Sequence, residues 1–563
     1  MKYRTSIDIG LLFCVSLILS FLMFRHGFPV GYDYKNLLIA YEEVAHQIVN
    51  GELYPRWLYD TNRGFGSANL FFYPPFTYYT AFFIDTLSGY ILDTTTLMII
   101  NSTLLVFLSG ITFYIFASPL TNKNFSVIAS GIYMILPYHS WFEIYERNAI
   151  AELSAYIWIP LIFHYSRISA HNTAYFSIKL SLCYALLVLS HLPTAVFISF
   201  FIPLYLTFNL KYSHSFESWI KDTFYKGAAY ITGLLISALY LYPAISMLDL
   251  ANTDYLWRGF YDYQLWFLWF DHSCPIDEAC NKLWIIALLQ ITVPLILMVI
   301  LRWKTKRKHN IQGYEFLGLA LVCFFMMTPL SSFIWSVIPP LQKIQFPWRL
   351  LVLSDFLFTA STMMFLYQLS KDRNPKSVLI CAIMTAIPFT FVTYKIADYT
   401  KNSWAPPLHK FEDSIAKKML TEEHIPNNPS LSMSYKDIQK AKPYPEYSVI
   451  AGDATITAER QNARHILLSV DAKTETVLHY RQFYFTGWRL FKDGEDVTAQ
   501  FDLKDAEPYG QIQISLPKGA YMLELKLILL PQEKIGLFIS MIGIVILLLN
   551  ALKGMHAHIL RRP

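Results

Sequence analysis

Apolar stretches recur along this chain at lengths that suit the interior of a lipid bilayer. Twelve lie near 7–24, 97–117, 125–138, 150–166, 175–189, 194–209, 228–247, 283–301, 314–330, 350–369, 377–394 and 534–551. A crossing helix needs about 20 mostly apolar residues, so each is a candidate span. Charged residues make up only 15% of the 563, against about 25% in soluble domains. That is too few to coat a water-facing surface of this size. The net charge of +5 is too mild to suggest a nucleic-acid partner. The fold class these features predict is an α-helical polytopic membrane protein with about 12 spans.

A thirteenth stretch, 74–92, opens with Pro74-Pro75 and carries Asp85. If it does not cross, the segments assigned inside hold 18 Lys and Arg in 66 residues, and the outside loops hold 9 in 119. Cytoplasmic loops carry the excess of basic residues. If 74–92 did cross, the cluster Arg302, Lys304, Lys306, Arg307, Lys308 would face outward. The stretch is therefore expected to be re-entrant or interfacial. Both termini are expected in the cytoplasm of a bacterial inner membrane, and the basic start, Met1 to Arg4, is read as an anchor without a cleavage site.

Three regions follow: a transmembrane domain over 1–394 with a long first outer loop at 25–73, an outer domain over 395–530, and a final span with a cytoplasmic tail over 531–563. The outer domain alternates apolar and polar residues over 465–470, 476–480, 511–515 and 521–527, which reads as strands. Trp488 to Lys492, Asp493-Gly494 and Glu495 to Val497 read as a hairpin with a type I′ turn. A small β-sandwich results, joined through a Pro- and Asn-rich connector at 402–447. Cys274 and Cys280 in the loop 248–282 read as a disulfide; a metal site using Asp271, His272 and these thiols is the alternative. No Gly-Lys dipeptide, Gly-x-Gly-x-x-Gly, Gly-x-Ser-x-Gly or Asp-x-Asp occurs, so no Walker-type pump or metal-diphosphate nucleotide-sugar site is indicated.

The remaining polar groups gather on the outer side. Gly31-Tyr32-Asp33-Tyr34 follows the first span. Leu37, Tyr41, Val44 and Ile48 then predict an amphipathic surface helix, with Glu42, Glu43, His46 and Gln47 on its wet face and Gly51 at its end. Asp33 either N-caps that helix or serves as a carboxylate at the lipid boundary. Glu146, Arg147 and Glu152 flank the fourth span, His191 precedes the sixth, and Gln345 to Arg349 lead into the tenth. Ionisable groups such as Glu152 and Asp355 at bilayer depth cost about 2.5–3.5 kcal/mol, so they need partners or a polar cavity. Structural roles stand beside functional ones: Glu152 can simply pair with Arg147, and Arg349 beside Trp348 can anchor a headgroup. Arginines can instead hold a phosphate, and a carboxylate can take a proton from an acceptor hydroxyl. Arg56, Arg63, Arg147 and Arg349 are the phosphate candidates. Asp33, Glu146 and Glu152 are the acid–base candidates, and Tyr32, Tyr34, Trp57, His191 and Trp348 the substrate-contacting ones.

The early Asp33, Gly51-Glu52-Leu53-Tyr54-Pro55-Arg56-Trp57, Asn62-Arg63-Gly64-Phe65-Gly66 and Tyr73-Pro74-Pro75 resemble bacterial membrane proteins of the YfhO group. Some of these are described as 6-pyruvoyl-tetrahydropterin synthase-related. Both are similar to the GT-C superfamily of polytopic glycosyltransferases. Glu146-Arg147-Asn148-Ala149 with Glu152, Ser190-His191, Gln345 to Arg349 and Tyr484 to Trp488 fit the same pattern. The resemblance implies an inverting glycosyltransferase that moves a sugar from a polyprenyl-phosphate donor to a glycan or lipid acceptor, with Asp33 in the place of the first-loop base. The family's paired acidic motif is absent, since tyrosines flank Asp33, so a divalent metal (Mg or Mn) stays open. A lipid-linked glycan transporter and a non-catalytic glycan-binding subunit are the competing classes.

Overall fold

The computed structural model describes residues 2–168, 175–270, 274–304, 312–371 and 444–559, with 390, 394, 404–405, 425–427 and 429–431. Six described helices are long and apolar enough to cross a membrane: Ser6–His26, Thr94–Ala117, Leu192–Tyr212, Asp277–Trp303, Pro347–Lys371 and Pro531–Lys553. Two bent pairs raise the count to eight. The chain is a multi-pass membrane protein. The expected stretches 125–138, 150–166 and 175–189 are also helical, as Lys123–Ile135, Ile150–Arg167 and Tyr175–Ser190. They are shorter or more polar than a full crossing. The stretch 377–394 lies outside the described residues except at its residues 390 and 394.

Two expected spans are broken. Gln312–Met326 turns by 87° into Pro329–Val337, where Pro329 lacks the N–H and the room to continue the helix. Phe216–Ile236 turns by 71° into Ala238–Ser246. The backbone groups freed there find a partner on the last helix. Ser540 Oγ accepts from Leu239 N at 2.7 Å and donates to the Ile236 carbonyl at 2.8 Å, as a break in an apolar medium requires. The stretch 74–92 folds as the 13-residue helix Phe76–Ser88. At 1.5 Å per residue it rises only about 20 Å, short of a core about 30 Å thick.

The C-terminal region forms two antiparallel sheets, with strands numbered after the two-residue pair β1 (Phe28–Pro29) and β2 (Trp404–Ala405). One sheet orders β3 (Tyr447–Ala451), β6 (Thr476–Phe483), β10 (Gln511–Leu516) and β9 (Lys504–Ala506). The other orders β4 (Ala454–Asn462), β5 (His465–Ala472), β11 (Gly519–Leu527), β7 (Trp488–Lys492) and β8 (Glu495–Asp496). Alternation explains the sandwich: Ile466, Leu468, Leu478, Tyr480, Ile512, Ile514, Leu523 and Leu525 all point inward and are buried. The Asp493-Gly494 turn has φ of 51° and 84°, the left-handed pair that a type I′ turn needs.

The long loop after the first helix, 27–75, docks into this sandwich. Trp57, Tyr59, Phe65, Ala68 and Phe71 share one apolar core with Phe483, Phe485 and Trp488. Trp57 Nε1 donates to Gln482 Oε1 at 2.7 Å, and Gln482 Nε2 donates to the carbonyls of Tyr59 (3.1 Å) and Gly64 (2.7 Å). Gly66, at φ 82°, has no space for a Cβ, which would lie 2.6 Å from the Trp57 ring. The helix Tyr34–Val49 is therefore only partly wet on its polar face, with His46 exposed and Glu42 half-buried. Glu43 and Gln47 are buried, with Glu43 Oε1 accepting from Asp60 N at 2.6 Å and Gln47 Nε2 donating to the Trp57 carbonyl at 2.9 Å. Trp57→Ala should cost about 3–5 kcal/mol, as for other buried Trp truncations. The check is a lowered melting temperature in detergent together with new protease cleavage in the loop 51–75.

Candidate functional site

The sandwich-bearing end of the bundle contains a cavity of about 570 Å³. Seven of the sequence candidates meet on its wall: Tyr32, Asp33, Arg147, Glu152, His191, Trp348 and Arg349. They come from five separate segments of the chain.

The sequence predicts an outer loop over 139–149, between the spans 125–138 and 150–166. The chain there forms instead a buried π-helix, Pro137–Arg147, a geometry often found at functional sites. Its end turns through Asn148 at φ 60°. The start of the first outer loop is pinned to this turn. Tyr32 N donates to the Glu146 carbonyl at 3.2 Å, Asp33 N to the Arg147 carbonyl at 2.8 Å, and Gly31 N to Asn148 Oδ1 at 2.5 Å. A Cβ at Gly31 would lie 2.5 Å from the Glu146 carbonyl oxygen, so only glycine permits this approach. Asp33 occupies the N-cap position of Tyr34–Val49 but makes no side-chain cap bond. Its backbone is held and its carboxylate is left to the cavity.

Behind Asp33 lies a buried charge cluster. Arg147 Nη1 contacts Glu143 Oε1 at 2.9 Å and Glu152 Oε2 at 2.8 Å. Glu152 also accepts from Tyr138 OH at 2.8 Å, with Arg349 Nε at 3.6 Å and His191 Nε2 at 3.8 Å. The Arg147 guanidinium stacks over the Trp348 ring, 5.0 Å from its centre. Burial pushes the Glu143 carboxyl well above the usual range against the pull of Arg147. Both arginines approach Glu152, and Arg147 is shared between Glu152 and Glu143. Burial likewise raises the Asp33 carboxyl above its ordinary value, while Arg147 and then Arg349 pull it down. Burial lowers the His191 imidazole to about 3 and keeps it neutral, with Nδ1 2.7 Å from Thr194 Oγ1.

Two buried donors on the wall lack hydrogen-bond acceptors: Trp348 Nε1 and Arg349 Nε. An unsatisfied buried donor costs about 1–3 kcal/mol, so a ligand oxygen there would be favoured. Lys343 lines the same cavity, its Nζ 5.3 Å from the centre of the Trp257 ring.

Five candidates lie elsewhere. Arg56 pairs with Glu533 of the last helix at 3.1 Å and donates to the Leu239 carbonyl at 2.6 Å. Its charge is already used in a buried network with Arg464, 3.3 Å from the same Glu533 oxygen. Arg63 sits at φ 60° in the loop that docks on the sandwich, and Trp57 is buried in their shared core. Tyr34 stacks near Phe28, ring centres 6.2 Å apart. Glu146 points away toward Lys282, 3.6 Å distant. None of the five lines the cavity. Asp355 is held deeper in the bundle by Tyr156 OH at 2.8 Å and by Gln290.

Cys274 and Cys280 form a disulfide, so neither thiol is free for a metal, and Asp271 and His272 lie outside the described residues. Among the described residues no group of three His, Cys, Asp or Glu side chains could hold a metal ion. The cavity offers one carboxylate, Asp33, that is not engaged by an arginine contact. This donor set does not fit a divalent metal, and no step below runs through one.

No family model and no curated protein matches the chain. Among solved structures, arabinofuranosyltransferase AftD from Mycobacteria aligns at TM-score 0.44 and 13% identity over 69% of this chain. The chain spans only 26% of AftD. The oligosaccharyltransferase AglB from Archaeoglobus fulgidus, solved with an inhibitory peptide and a dolichol-phosphate, aligns at TM-score 0.45 and 13% identity over 73% of this chain and 57% of its own. ArnT from Cupriavidus metallidurans, solved with undecaprenyl phosphate, aligns at TM-score 0.30 and 10% identity over 64% and 78%. Likeness at this level leaves the chemistry to be read from the chain's own residues.

Glu152→Ala would leave Arg147 and Arg349 without their shared buried counter-ion. Removing one partner of a buried pair costs about 3–5 kcal/mol. A matching fall in thermal stability, measured in nanodiscs, is expected, with Glu152→Gln falling less.

Proposed function

We propose that this chain is a GT-C-like membrane glycosyltransferase, taking a sugar from a polyprenyl-phosphate-linked donor and passing it to an acceptor at the outer face of a bacterial inner membrane. One observation carries the reading: the uncapped Asp33 carboxylate shares a cavity with Arg349 Nε and Trp348 Nε1, two buried donors without acceptors. A proton acceptor and an oxyanion site on one wall are what displacement at a sugar–phosphate bond requires.

Two features support the outer placement. Cys280 of the disulfide lines the cavity, and disulfides persist on oxidising faces. The same helix, Asp277–Lys304, carries Arg302 and Lys304 at its other end, where the positive-inside rule expects cytoplasm. Both chain termini then face the cytoplasm and the sandwich lies outside. Nucleotide sugars do not serve that side, so a lipid-carried sugar is the fitting donor.

The step is a single displacement. The acceptor hydroxyl oxygen forms a bond to the anomeric carbon as its proton passes to Asp33. The bond from that carbon to the phosphate oxygen breaks, and its electron pair leaves on the phosphate. Arg349 and the Trp348 N–H receive that oxyanion. Arg147, matched by Glu152, stacks on Trp348 and orients it. A double displacement would need a second free carboxylate as nucleophile. Glu152 is engaged by arginines, so inversion at the anomeric carbon follows.

Asp33→Asn should reduce transfer from a polyprenyl-phosphate sugar to background while thermal stability is kept; full retained activity would sink the assignment. Wild type should lose kcat/KM as pH falls through an Asp33 value raised above 3.8. Arg349→Gln removes a charge that pulls this value down, so the acid limb should move to higher pH. A pH–rate profile of the two proteins checks the direction.

A further inference from the structure

The cavity wall opposite in character to the arginines is uncharged and rich in hydrogen-bonding groups. Asn36, Asn69, Thr77, Tyr78 and Tyr240 line it, all from the first outer loop, the short helix Phe76–Ser88 and the bent helix Ala238–Ser246. Tyr78 stands within electrostatic reach of Asp33, Tyr73 and Tyr240, so this group borders the base. The arginine side groups separately around Phe346, whose ring centre lies 4.8 Å from Trp266, 4.9 Å from Trp348 and 4.9 Å from the Arg349 guanidinium carbon.

The uncharged wall is built rigidly. Asn69 begins the helical turn Asn69–Phe72, its backbone N held by Ser67 Oγ at 3.2 Å. Tyr240 OH donates to the Phe72 carbonyl at 2.8 Å. Behind the wall, Asn101 Nδ2 donates to Tyr41 OH at 2.5 Å and to the Thr77 carbonyl at 3.3 Å. Tyr41 packs edge-on against Tyr78 at 5.7 Å. Supporting residues that fix side-chain positions are what a recognition surface needs.

We infer that this wall is the acceptor subsite and that the acceptor is a neutral, hydroxyl-rich glycan; the inference rests on the transferase reading above. Amides and phenols each offer donor and acceptor atoms, matching sugar hydroxyls that also do both. The phenol rings give flat faces for the sugar's C–H surfaces. Asp33 at the border repels an acidic acceptor such as a uronate or a phosphorylated sugar, and this wall has no cation to offset that repulsion. A purely lipid acceptor would desolvate the Asn36 and Asn69 amides without offering them hydrogen bonds, at about 1–3 kcal/mol each. Held here, the glycan's hydroxyl lies beside Asp33, with the donor phosphate at Arg349 in the same cavity.

The test is saturation-transfer NMR on the full chain in nanodiscs. The probes are neutral gluco-, galacto-, manno- and arabino-oligosaccharides, with uronate oligosaccharides and an amphipathic peptide as comparisons. At least one neutral series should bind. Asn69→Ala and the shape-conserving Tyr78→Phe should each weaken it about three- to tenfold, the loss of one or two net hydrogen bonds, with melting temperature unchanged for Tyr78→Phe. Binding of only uronates or only the peptide, no neutral binding at millimolar concentration, or full affinity in both variants would overturn the inference. Asp33→Asn should still bind the neutral probe. Neutral binding in a wild-type chain that transfers nothing would sink the transferase reading instead and leave the subsite standing, so the two failures are distinguishable.

Discussion

A single buried carboxylate, Glu152, holds the cavity end of the bundle together. Arg147 reaches it from the π-helix, Arg349 from the start of the helix Leu351–Lys371, and His191 from the cap of Leu192–Phe208. Tyr138 supplies the remaining hydrogen bond. An ion this deep is stable only when its partners approach closely and satisfy its lone pairs. Satisfying Glu152 therefore fixes the relative positions of three segments. A second buried contact set, Asp355 with Tyr156 and Gln290, ties the same region together closer to the bundle's middle. With Glu152 satisfied in this way, Arg349 Nε and Trp348 Nε1 remain on the cavity wall without hydrogen-bond acceptors, and these are the groups that make it receptive to an anion.

The loop between the first helix and Phe76–Ser88 links this charge cluster to the sandwich. One end of the loop is bonded to the π-helix through Gly31 to Asp33. Its far part is buried in the sandwich core through Trp57 and Phe65. The sandwich thus shares a hydrophobic core with the loop that presents Asp33, and shared apolar burial of this kind resists relative motion.

The sequence made the charge cluster readable because ionisable groups are rare in this chain and costly within a bilayer. Asp33, Arg147, Glu152, His191 and Arg349 stood out for that reason. The motif-dense stretch 51–75 looked equally functional, but its part from Trp57 to Ala68 serves packing, and only residues within Asn69 to Pro74 reach the cavity. Its Arg56 pairs with Glu533, far along the chain, and no local pattern reveals such a partner. Glu143 was overlooked, although its place four residues before Arg147 on a helix was a usable signal. Asn69 and Tyr78 carried no signal, because neutral polar residues in a loop are ordinary until the fold gathers them. In the sandwich, alternation located β5, β6, β10 and β11 and Asp-Gly marked the hairpin, but the half-exposed β3 and β4 lacked a clear apolar face. The span 314–330 was read through Thr328-Pro329, where the proline itself marked the break.

The bend at Ser237 has a consequence for how the protein is made. Its freed Leu239 amide and Ile236 carbonyl are satisfied by Ser540, 301 and 304 residues later. At about 5–20 residues per second of synthesis, the bend waits on the order of 15–60 s for its partner. Through that interval, those two backbone groups must depend on water, lipid headgroups or a membrane chaperone. The bend also carries Tyr240 and its hydrogen bond to Phe72, so one wall of the cavity takes its final form only when the last helix arrives. Biogenesis and competence are coupled: the charged cluster is complete in the chain at Arg349, before synthesis reaches the Ser540 that settles the bend carrying Tyr240.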